Sequence, residues 1–128
     1  MRNYKVEIEI YEGKGGQLQK DKDGIIYPDI VGEGICAWMY RGDGAKSYQV
    51  GQRFSYPEDL DKLCPWVLDS LHGIIHVLRF GGTLPWQYPG TPYEKQFDDD
   101  GVTTEFIRCV DPTESGIVVK IIRTEMPD

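Results

Sequence analysis

Tyr4, Val6, Ile8 and Ile10 alternate with Lys5, Glu7, Glu9 and Tyr11, a period of two that predicts a strand with one wetted face. Gly13–Gly16 ends it, and 17–24 reads as a polar connection. Ile25, Ile26 and Tyr27 before Pro28 suggest a short edge strand within 23–31. The apolar run Ile35–Tyr40, bounded by glycine on its N-terminal side and by the turn-forming Arg41-Gly42-Asp43-Gly44, predicts another strand, and Tyr48–Tyr56 a further one closed by Pro57. Between Glu58 and Phe80 the period changes. Leu60, Leu63, Val67, Leu71, Ile74, Ile75 and Leu78 recur at spacings of three and four, an apolar stripe that predicts a helix lying on a sheet. Gly81-Gly82 marks its end. A proline- and aromatic-rich loop, Thr83–Thr104, separates the helix from two last strands, Val102–Val110 and Gly116–Thr124.

The expected fold is therefore α+β, with one long helix packed on a mainly antiparallel sheet of four to five strands. The order of strands before and after one helix fits a β-grasp-like arrangement. A length of 128 residues allows one core, so a single domain spans 1–128. Fourteen basic against twenty-one acidic residues leave a net charge of −7, which argues against a surface built for nucleic acid. No apolar run is long enough to span a membrane. Met1–Glu7 lacks the apolar stretch of a secretion signal, so a cytoplasmic location is expected and Arg41-Gly42-Asp43 is read as a turn rather than an adhesion motif.

The strongest local chemical signal is Leu63-Cys64-Pro65-Trp66. Proline favours the first helical position, because its missing N–H had no partner there. If Pro65 opens the main helical run, Cys64 stands at the N-cap, with Glu58–Leu63 as a separate leading turn. Unpaired backbone N–H groups and the positive end of the helix dipole at that point stabilise a thiolate. Cys64 is thus the candidate catalytic thiol. The plain alternative is a small side chain buried beside Trp66.

Cys36, Cys64 and Cys109 form an odd set without a CxxC pair, which argues against a disulfide framework. Each stands at or near the end of an element. If they converge they make most of a three-cysteine zinc or iron–sulfur site; otherwise they are three half-buried hydrophobes. Asp69, His72, His76 and Arg79 fall within an arc of about 80° on the helix. They permit a metal but more simply describe a solvated face, with no glutamate beside His72 to complete an HExxH motif. Past the glycine pair, Trp86, Tyr88 and Tyr93, with Trp66 on the helix, are candidate ligand-binding aromatics for a small molecule. The same residues would serve equally in covering a sheet edge or in a homodimer contact.

Gly51-x-x-Phe54, Cys64-Pro65-Trp66, Leu78-Arg79-Phe80-Gly81-Gly82 with Pro85-Trp86, and Cys109-x-Asp111-Pro112 before a final strand resemble, in that order, an uncharacterised family of small prokaryotic proteins. The resemblance covers about Val50–Arg123. Members carry a glycine pair after a helix and often Cys-Pro where this chain has Cys109-Val110. They also carry Gly-His near the first cysteine, where this chain has Cys36-Ala37. The missing histidine removes a ligand from any mixed Cys/His site, and the loop 83–104 is longer than in the family. The family has no established reaction. What it implies is an architecture and an emphasis on the cysteines.

Two expectations follow. One is a cysteine-centred site at the helix N-terminus, thiolate or metal, that acts on or carries a small ligand. The other is a non-catalytic binding or assembly module built on the aromatic loop 83–104.

Overall fold

In the computed structural model, the described residues are 3–15, 19–21, 24–26, 29–40, 48–113 and 115–127. The Arg41–Gly44 turn lies outside them. Strands β1 (Asn3–Glu12), β2 (Gln19–Asp21), β3 (Gly24–Ile26) and β4 (Arg53–Tyr56) precede a single 3-10 turn, Leu60–Lys62, and the helix α1 (Pro65–Arg79); β5 (Val102–Arg108) and β6 (Val118–Met126) follow. Four strands form one sheet in the order β4-β1-β6-β5, while β2 and β3 pair apart as a short hairpin. Every ladder is antiparallel. A four-stranded antiparallel sheet with one helix, an α+β fold, is what these pairings establish; a fifth strand in that sheet and a β-grasp arrangement are not among them.

The period-two pattern of β1 sets the layers. Val6, Ile8 and Ile10 are buried with Val119 and Ile121 of β6 against Val67, Leu71, Ile75 and Leu78 of α1. The register places Ile8 opposite both Phe54 and Ile121, so these side chains share the helix-facing side. Each such side chain taken from water contributes about 1.5–3 kcal/mol. On the other face Arg53 Nε meets Glu9 Oε1 at 2.9 Å.

Five expectations change. Of the two starts the sequence allows, the helix takes Pro65 rather than Glu58; it is 15 residues long, and the chain before it closes separately as the 3-10 turn. Ile35–Tyr40 is not a strand. It buries Ile35, Trp38 and Met39, and its Tyr40 N–H donates back to the Cys36 carbonyl, so the segment is turned. That puts 35, 38 and 39 on one side, where a strand would alternate them. The strand expected from Tyr48 begins at Arg53, because Gly51 takes φ +94° and turns the chain. Cys109 lies just past β5, although its N–H still donates to the Ile117 carbonyl at 2.8 Å. Finally, 17–24, read as a polar connection, contains β2.

Candidate functional site

At the N-terminus of α1, Cys64 is the N-cap residue and Pro65 opens the helix. The Cys64 side chain makes no capping hydrogen bond, and its carbonyl accepts from the Leu68 N–H at 3.0 Å. Two contacts draw the other cysteine-bearing segments to this end. Trp38 Nε1 donates to the Lys62 carbonyl at 3.0 Å, and the Val110 N–H donates to Ser70 Oγ at 3.2 Å. Cys36, Cys64 and Cys109 are all half-buried and pack on the same core. Burial pushes the Cys36 thiol up, and negative charge on Cys64 or Cys109 pushes it further, against backbone N–H groups of Met39 and Trp38 that favour the thiolate. Burial likewise raises Cys109, with the charges of Cys64 and Asp111 adding to it and the N–H groups of Asp111 and Val110 opposing. The three thiols thus lie within electrostatic reach of one another. Among the described residues, however, no group of three or more His, Cys, Asp or Glu side chains is arranged to hold a metal ion, this trio included.

The helical polar stripe is exposed at Asp69, His72, His76 and Arg79. His76 stacks on Phe80 with 6.2 Å between ring centroids, and Arg79 lies over the Tyr56 ring at 5.5 Å. These are partners of a solvated helix face.

The proline-rich loop folds back along the β5 edge. Lys95 donates its N–H to the Gln87 carbonyl at 2.9 Å, Gln87 Nε2 returns to the Lys95 carbonyl at 3.2 Å, and the Thr104 N–H donates to the Gln96 carbonyl at 2.9 Å. Tyr93 fastens the loop to the first strand by donating its hydroxyl to Glu12, whose two carboxylate oxygens lie at 2.7 and 2.8 Å. That hydrogen bond, followed by burial and the Glu12 charge, raises the Tyr93 phenol above its ordinary value.

Between loop and sheet lies a cavity of about 290 Å³ whose walls include Tyr88, Tyr93, Lys95, Phe106, Arg108 and Val118. Tyr93 and Phe106 meet edge to face, 5.7 Å apart. Of the four aromatics singled out in the sequence, Tyr88 and Tyr93 belong to this cavity. Trp66 and Trp86 do not; they stand 50% and 59% exposed elsewhere.

Sequence reasoning missed the charged residues beneath the loop. Lys95 Nζ meets Glu105 Oε1 at 2.7 Å, with both side chains more than nine-tenths buried. Arg123 is buried as well and donates to Leu78, Gly82, Asp98 and Thr103. A signal was available. Arg123 continues the inward alternation Val119, Ile121, and Glu105 pairs with Ile121 across the ladder. A charge at an inward position of an alternating strand points to a buried partner.

No family model, curated protein or solved structure matches the chain. The likeness to small prokaryotic proteins therefore stays with the motifs that suggested it. No helix among the described residues is long and apolar enough to cross a membrane.

Proposed function

We propose that the protein is a small-molecule-binding module whose ligand occupies the cavity beneath the proline-rich loop. The observation that carries this reading is the cavity wall. Three aromatic rings, Tyr88, Tyr93 and Phe106, stand with Val118 around a space of about 290 Å³ that Lys95 and Arg108 also line. Apolar walls with a few placed polar groups are the common form of a ligand site. The volume suits a molecule of one or two rings. Lys95 is neutralised by Glu105 and Arg108 lies 3.9 Å from Glu12, so an uncharged aromatic ligand is favoured over an anion. Titration of isotope-labelled protein with indole or benzyl alcohol tests it. Amide shifts concentrated at 88–95, 106–108 and 118 are expected, and their absence at millimolar probe sinks the reading.

A second reading, a reactive thiol at Cys64, draws support from its place before Pro65 at the head of α1. Cys64 does not line the cavity, so the two can be tested separately.

A further inference from the structure

We propose that Lys95 forms a reversible imine with small aromatic aldehydes that enter the cavity, with Glu105 as the carboxylate counter-ion. The inference rests on the binding reading above and names its substrate class. Three features meet at one place. The Lys95 side chain is 4% exposed and that of Glu105 3%, with Nζ and Oε1 2.7 Å apart. Lys95 is part of the cavity wall. Its Nζ also lies 5.2 Å from the centre of the Tyr88 ring, another wall residue.

A buried ion pair of this kind adds little to stability over apolar side chains of the same volume, since desolvation cancels most of the attraction. What it does supply is a desolvated amine held beside a proton acceptor at an aromatic cavity wall, and burial is what readies lysines for reaction with carbonyl compounds. Glu105 accepts one proton from the ammonium group and so frees the nitrogen lone pair. The nitrogen attacks the aldehyde carbon, forming an N–C bond as the carbonyl π bond breaks, and one of its own protons passes to the oxygen to give a neutral carbinolamine. Water then leaves with the C–O electron pair, taking the proton that Glu105 returns, while the nitrogen lone pair makes the C=N bond. The net change is ammonium plus aldehyde to iminium plus water. No oxidant or reductant is needed, and the positive charge stays opposite Glu105. The ion pair survives the reaction, and the Tyr88 ring stabilises the iminium as it does the ammonium.

The test is to incubate the purified protein with benzaldehyde and cyanoborohydride at neutral pH and to map the benzylated lysines by mass spectrometry. Lys95 is expected to be modified at least ~10-fold ahead of the exposed Lys5 and Lys62, as for a reaction between groups held together. Excess benzyl alcohol should suppress labelling of Lys95 without affecting the exposed lysines. The adduct should vanish in Lys95→Arg and form more slowly in Glu105→Gln. The wild-type map and its competition decide the matter even if those variants fail to fold. If Lys95 is labelled no faster than Lys5 or Lys62 while benzyl alcohol still shifts the cavity amides, the imine is wrong and the binding reading stands. If benzyl alcohol shifts nothing there either, both fall.

Discussion

Arg123 Nη1 donates to the carbonyl of Leu78 at 2.8 Å, tying the last strand to the last turn of α1. The same nitrogen also donates to the Gly82 carbonyl at 2.7 Å, so one buried cation satisfies carbonyls at the negative end of the helix dipole. Nη2 reaches Asp98 and Thr103, and the guanidinium lies 4.6 Å from the centre of the Tyr4 ring. Helix end, loop and two strands thus converge on one side chain.

Removing that side chain should be costly. Arg123→Ala takes a donor from the Leu78 and Gly82 carbonyls and from Thr103 and opens a void, and a loss of about 3 kcal/mol is expected in urea denaturation. Asp98→Asn should cost far less. The Asp98 side chain is 53% exposed, and water replaces what the salt bridge supplied. Equal losses for the two variants would show that the ion pair, and not the carbonyl caps, carries the effect.

The strands and helix that carry most of the core were legible because burial imposes a period. Val6, Ile8 and Ile10 alternate in β1, and Val67, Leu71, Ile75 and Leu78 follow the turn of α1. The 35–40 segment was not, since a continuous apolar run has the same composition whether extended or turned. The hydrogen bond from the Tyr40 N–H to the Cys36 carbonyl, with Ile35, Trp38 and Met39 all buried, separates the two. The helix-capping position of Cys64 was readable from Pro65 alone. The cavity was half readable. Tyr88 and Tyr93 stood out as aromatics in a long loop, whereas Lys95 and Glu105 meet as a buried pair only once the loop lies along β5.

Trp38 gives the turned segment its own test. It stacks on Tyr48 at 4.5 Å and donates to the Lys62 carbonyl, joining residues 35–40 to the approach to α1. Trp38→Phe keeps an aromatic ring and removes the donor. About 1 kcal/mol of stability should be lost with the hydrogen bond, read as a lowered thermal midpoint. An unchanged midpoint would mean that water takes over at the Lys62 carbonyl and the bond contributes nothing.

Tyr93 should control the loop rather than the sheet. Its hydroxyl is the link to Glu12, and its ring packs on Tyr11 and Phe106. Tyr93→Phe retains the ring contacts and loses the link. Hydrogen exchange at the Lys95 and Gln96 amides should quicken, while exchange at Ile8 and Ile121 stays as slow as in the wild type. Quickened exchange across the sheet would instead assign Tyr93 to the global fold.

The thiols offer the last prediction, and pH is its variable. Burial holds Cys36 and Cys109 above the ordinary thiol range, so the folded chain keeps their protons at a pH where the unfolded chain releases them. Their contribution to stability is fully present below that range. It is lost as pH rises through the unfolded value towards the folded one, because there the native state binds more protons than the unfolded state. Urea midpoints should therefore fall above neutral pH, and Cys36→Ala should flatten the decline. The same burial predicts an order of reaction. The thiolate is the nucleophile, burial works against it at Cys36 and Cys109, and Cys64 alone of the three stands at the head of α1. Limited alkylation with iodoacetamide at neutral pH, mapped by mass spectrometry, should label Cys64 first, with Cys36 and Cys109 following only as the pH climbs. Labelling of either of those two ahead of Cys64, or a Cys64 protected until the chain unfolds, removes the reason to treat Cys64 as anything but a packed side chain.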